Sequence, residues 1–199
     1  MNQSEIPLIP EFIATSGAMN DIALRTQQIL IALQLYENTL INIDGMLPGL
    51  RIEGYDLKEI PIFWNSNVKN PDELAANIKK STTLVLLSAL NLHIYLLDIY
   101  MIEILKKHYN IHEDIKTIMT PEIFMETTKI DLTKLPNSDN IDDVRRVISG
   151  LRDMKKTHSI TVPEYFEYYQ NLIRYMHSIA NIVSEKIFND NKVKGNENV

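Results

Sequence analysis

Leu84-Val85-Leu86-Leu87-Ser88-Ala89-Leu90-Asn91-Leu92-His93-Ile94-Tyr95-Leu96-Leu97-Asp98-Ile99-Tyr100-Met101-Ile102-Glu103-Ile104-Leu105 is apolar nearly all round when wound as a helix. A segment of this kind is either a membrane span or a helix surrounded by other helices. Asn91, His93, Asp98 and Glu103 interrupt it. Charged groups near the centre of a span are costly, so a helix buried among helices is the expectation. Upstream, Asn70 reads as a cap, Pro71 takes the first helical position and Glu73 completes a capping box. The helix should run from there to about His108, with Asn110 as its stop. Ser88, Asn91, Tyr95 and Asp98 step by three, four and three, which stacks them in one polar stripe. That stripe reads first as hydrogen-bonded core or a polar dimer seam, and second as the lining of a site.

Three further helices follow from the same periodicity. A first helix is expected from about Gly17 to Asp44, capped by Ser16, with Met19, Ile22, Ile29, Leu33, Tyr36, Leu40 and Ile43 facing inward. A third main helix should begin at Asn140 and finish near Lys156, with Val144, Val147, Ile148, Leu151 and Met154 inside. Asp142 and Asp143 suit its positive end. The last helix has Thr161 and Glu164 as a capping box, with Ile160 and Tyr165 spaced as a hydrophobic staple. Tyr165, Tyr169, Leu172, Met176, Ile179, Val183 and Ile187 then share its apolar face. A short helix is expected from Thr120 to about Thr128. Residues 46–69, punctuated by Pro48, Gly49, Gly54 and Pro61, read as a long loop pinned by Ile60, Ile62, Phe63 and Trp64. No strand and no internal repeat is expected. The fold class is all-α: an antiparallel bundle of four main helices plus short ones, one domain over residues 1–190 with a disordered tail over 191–199.

Composition narrows the chemistry. The chain has 199 residues, enough for one sizeable core, and a formal charge of −6, so any nucleic-acid site must be a local basic patch. It contains no cysteine, which excludes disulfides, thiolate metal sites and a cysteine nucleophile, and fits a cytoplasmic protein. The first residues carry no basic region followed by an apolar run, so no signal peptide is read and no membrane association is expected. There is no phosphate-cradling glycine loop, nucleophile elbow or paired-histidine zinc helix. His108 and His112 stand four apart, but Asn110 should break the helix between them, so they read as surface histidines rather than metal ligands. Arg174 and His177 read as a solvated helix face. No metal and no cofactor is expected.

The strongest chemical signal is the corner Leu151-Arg152-Asp153-Met154-Lys155-Lys156-Thr157-His158. A fixed cation beside a group that titrates near neutral pH is the minimum equipment for acid–base chemistry on a phosphate. Arg145, Arg146, Lys155 and Lys156 surround the pair as a local basic cluster on an acidic chain. The plainer reading is a helix C-terminus whose cations complement its dipole, followed by a solvated histidine.

The segment from Val147 to Ile187 resembles the C-terminal part of HEPN domains, helical ribonuclease and nucleotide-binding modules of toxin–antitoxin and phage-defence systems. Their signature is an arginine, usually a polar residue, then a histidine a few positions on. Here it reads Arg152 to His158, with Asp153 in the polar place, Thr157 before the histidine and an apolar helix following. Ser81 to Leu90 is similar to the family's buried second helix. Two residues depart from the family. Asp153 stands where asparagine is frequent, and Asn91 where several relatives carry glutamate. The resemblance implies metal-independent RNA cleavage at a two-fold interface, with Arg152 holding the scissile phosphate and His158 moving a proton. It implies a homodimer, RNA as substrate and a cognate antitoxin or other protein partner. The departures suit a catalytically silent scaffold instead. A third reading, a helical small-anion sensor, lacks an arginine-bearing motif early in the first helix.

Overall fold

In a computed structural model the protein is described over residues 8–41, 51–52, 55–56, 71–111, 120–152 and 159–196. Five α-helices dominate: α1 (Pro10–Ile41), α2 (Pro71–Tyr109), α3 (Thr120–Thr128), α4 (Ser138–Arg152) and α5 (Val162–Asn196). A 3-10 turn, Leu132–Lys134, links α3 to α4. The all-α class holds, with one small addition. Residues Arg51–Ile52 and Tyr55–Asp56 form two antiparallel strands, Arg51 opposite Asp56 and Ile52 opposite Tyr55. No strand was expected there, because two residues are too few for an alternating pattern to register.

The chain groups into two compact units, one of residues 1–23 and 87–199, the other of residues 24–86. The first unit holds most of the core. Its centre is α2, where Leu86 at the boundary is followed by Leu90, Leu97, Tyr100, Ile104 and Leu105, each fully buried. Ile78–Tyr109 is long and apolar enough to cross a membrane by length and composition alone, yet 56% of its most apolar window is already buried in protein. In the same unit, α5 and the 3-10 turn both pack on α4.

Helix ends follow local chemistry. α2 stops where Asn110 takes a left-handed φ of 55°, a conformation asparagine tolerates, and the Ile111 N–H bonds back to Leu105 O at 3.2 Å. α5 starts on the expected capping box: Glu164 Oε2 accepts from the Thr161 N–H and hydroxyl, each at 2.7 Å, and the Glu164 N–H reaches Thr161 Oγ1 at 3.4 Å. The staple residues Ile160 and Tyr165 are both buried. α3 spans the expected residues, and α4 begins two residues before Asn140, at Ser138, whose hydroxyl donates to Thr133 O at 2.8 Å. The α2 cap at Asn70, most of the loop expected over 46–69 and residues 197–199 lie outside the described residues, while residues 191–196 of the expected disordered tail continue α5.

α1 departs most from expectation. It begins at Pro10 rather than Gly17, and Ser16 is no cap: its hydroxyl donates to Ile13 O at 3.2 Å inside the helix. Proline at the first helical position, with glutamate beside it, was the true start signal. Met19 is buried as expected, but Ile29 is 47% exposed, and Ala23 and Thr26 occupy the buried face instead.

Candidate functional site

A largely buried ion pair lies between α2 and α4. Asp98 is 5% exposed and accepts from Arg145 through both carboxylate oxygens, Nη2 to Oδ1 at 2.5 Å and Nη1 to Oδ2 at 3.4 Å. A guanidinium suits this two-point match, since its planar fork fixes both partners. Burial pushes the Asp98 carboxyl up; the Arg145 charge pulls it down, Glu122 adds to the upward push, and the net direction is upward. Arg146, the next residue, turns to a different partner and binds Asp143 on its own helix at the surface.

A cleft of about 830 Å³ opens beside this pair, walled by α2, α3, the 3-10 turn, α4 and Tyr175 of α5. Its floor is apolar, with Leu97, Met101, Leu132 and Ile141 each less than a tenth exposed. Its polar lining includes Asn91, Tyr95, Asp98, Glu122, Asp142, Arg145 and Ser149. Three of the four residues in the polar stripe of α2 therefore share this cleft; Ser88 is exposed and does not line it. Ser149 lines the cleft one helical turn before Arg152, the last helical residue of α4.

The expected site residues fall unevenly. Asn91 lines the cleft, and Arg152 belongs to α4. Asp153, Lys155, Lys156, Thr157 and His158 lie outside the described residues. Arg145 and Arg146, expected to meet RNA phosphates, each bind a carboxylate of the fold. A guanidinium engaged with a carboxylate has fewer donors and less net charge left for a phosphate. The sequence offered no sign of this, because Asp98 and Arg145 are 47 residues apart. His108 contacts Glu11 at 3.4 Å, while His112 lies outside the described residues. Among the described residues no three histidine, aspartate or glutamate side chains are grouped as metal ligands. Arg174 and His177 are both exposed, as a solvated face should be, and the His177 ring meets Phe12 edge-on at 5.5 Å.

Two groupings escaped the sequence reading. His93 is fully buried, its Nε2 3.0 Å from the Tyr165 hydroxyl and its ring between those of Tyr165 and Tyr169 at 5.9 and 5.3 Å. Its Nδ1 has no hydrogen-bond partner, and burial drives its pKa down to about 4, so the imidazole is neutral at neutral pH. Glu11, in the first turn of α1, is 7% exposed and binds Lys107 at 3.1 Å and His108 in the last turn of α2. Burial pushes its carboxyl up, but hydrogen bonds from its own backbone, Lys107 and His108 outweigh this and hold it below the usual range. Comparison with protein-family models, with curated proteins and with solved structures finds no match for this chain.

Proposed function

We propose that the protein is a HEPN-like, metal-independent endoribonuclease of a toxin or phage-defence system, acting in the cytoplasm as a homodimer. The observation that carries the reading is the Arg152–His158 motif of the sequence, which lies between α4, described to Arg152, and α5, which opens at Val162 on a capping box. On this reading an arginine and a histidine act together on one phosphate. Arg152 holds the scissile phosphate and stabilises charge developing on its oxygens. His158 takes the proton from the attacking 2′-hydroxyl or gives one to the departing oxygen, leaving a cyclic phosphate. RNA is the substrate, and an antitoxin or other protein partner restrains the activity.

The test is cleavage of mixed RNA in chelator by the wild type beside Arg152→Ala and His158→Ala variants of matched fold and oligomeric state. Each substitution is expected to lower the rate by roughly a hundredfold or more. Cleavage that survives both substitutions sinks the assignment.

One observation favours a second reading, a catalytically silent scaffold. Arg145 and Arg146 are committed to Asp98 and Asp143, so half of the basic cluster is neutralised within the fold. This reading predicts no cleavage by any version and a melting temperature that rises with a co-purified protein partner.

A further inference from the structure

We propose that the cleft between α2 and α4 binds an organic cation, an ammonium head carried on an apolar body. Its dimensions come first: about 830 Å³ is within the range of small-molecule sites, and such sites combine an apolar lining with a few convergent polar groups. Leu97, Met101, Leu132 and Ile141 supply the apolar floor, which favours a hydrocarbon body over a fully hydrated ion.

Charge then selects the head group. Three carboxylates line the cleft, those of Asp98, Glu122 and Asp142, against the guanidiniums of Arg145 and Arg146. Arg145 is matched to Asp98, and Arg146 is drawn off to Asp143. Glu122 and Asp142 are exposed and make no ion pair among the described residues, so the remaining balance is negative. The buried Asp98 also retains acceptor capacity beyond its two contacts with Arg145, since a carboxylate offers about four acceptor sites. Burial raises its carboxyl despite the bound guanidinium, with Glu122 pushing the same way, so further positive charge in the cleft relieves an existing deficit. The half-exposed ring of Tyr95 on the same wall adds a face on which an ammonium is favoured. An anion would meet repulsion from Asp98, Glu122 and Asp142, with both guanidiniums already engaged by carboxylates.

None of this depends on RNA cleavage, because neither Arg152 nor His158 takes part. The experiment is calorimetric titration of the full chain with hexylammonium, using hexanoate as the probe of reversed charge and matched length. Saturable one-to-one binding of hexylammonium is expected, with hexanoate silent. A Glu122→Gln/Asp142→Asn double variant should weaken hexylammonium by about tenfold, because both side chains are exposed and their loss leaves the fold intact. Ser149→Trp, which fills the cleft from its exposed rim, should abolish binding. Absence of hexylammonium binding, equal binding of hexanoate, or an affinity unchanged in the double variant would each overturn the proposal.

Discussion

Helix α5 and the part of α1 from Leu24 onward are both long, and they place their apolar residues differently. Along α5 the buried positions include Tyr165, Leu172, Met176, Ile179 and Val183, with Glu164, Glu167 and Glu185 exposed on other faces. Along α1, Leu24, Ile31 and Leu35 are 50%, 53% and 60% exposed, while Ala23 and Thr26 are buried. One helix has a single apolar face and the other has apolar residues on several. Periodicity identifies an inward face only where the opposite face is polar. On α1 the pattern that suggested burial of Ile29 was therefore one of several that fitted equally well.

The comparison breaks most directly by truncating one residue on each helix. Leu172→Ala should destabilise the protein by about 2–5 kcal/mol in urea unfolding, since the side chain is fully buried. A loss below about 1 kcal/mol would mean that α5 packs more loosely than its burial indicates. Next in size is a pH effect at the seam where His93 meets Tyr165. His93 is neutral when folded, with its pKa near 4, whereas an unfolded histidine takes up a proton below about 6.5. The unfolded state binds more protons in that window, so stability is full above it and falls as pH drops from about 6.5 towards 4. The loss contributed by this residue should approach about 3 kcal/mol, and His93→Gln should flatten that part of the curve. Denaturation midpoints across that range measure it.

Smaller effects sharpen the comparison at the helix ends and on the outer face. Thr161→Ala removes the cap of α5 and should cost about 1 kcal/mol. Ser16→Ala, by contrast, should cost less than about 0.5 kcal/mol, because Ser16 sits inside α1 and bonds only to a carbonyl one turn back. Equal losses at the two sites would restore Ser16 as a cap. Smallest of all, Ile31→Gln should stay within about 0.5 kcal/mol. A large loss there would show that the outer face of α1 is covered.

How much was legible in the sequence follows from the same physics. Thr161 and Glu164 announced α5, Asn110 announced the end of α2, and Thr120 to Thr128 matched α3, because each signal acts within a few residues. The start of α1 was equally local, in Pro10 and Glu11, but Ser16 offered a competing signal and was the wrong choice. The candidate site was less legible. The stripe Asn91, Tyr95 and Asp98 could be read off one helix, yet its role depends on Arg145, brought across by the fold. His93 looked like an interruption in an apolar run, and only its contacts with Tyr165 and Tyr169 explain why a histidine is tolerated there. Pairings between distant segments leave no period for a reader to find.

The clasp between Glu11 and the Lys107–His108 pair bears on the order in which the chain assembles. It joins positions 97 residues apart in one case and 96 in the other, whereas α4 and α5 are neighbours in sequence. Contacts of short separation form early, and closing a long loop is deferred until other packing has repaid its entropy. The clasp therefore belongs to the last steps of folding and the first of unfolding. Glu11→Gln should accelerate unfolding while leaving the refolding rate nearly unchanged, which makes this buried carboxylate and its two partners the latch that sets the native lifetime.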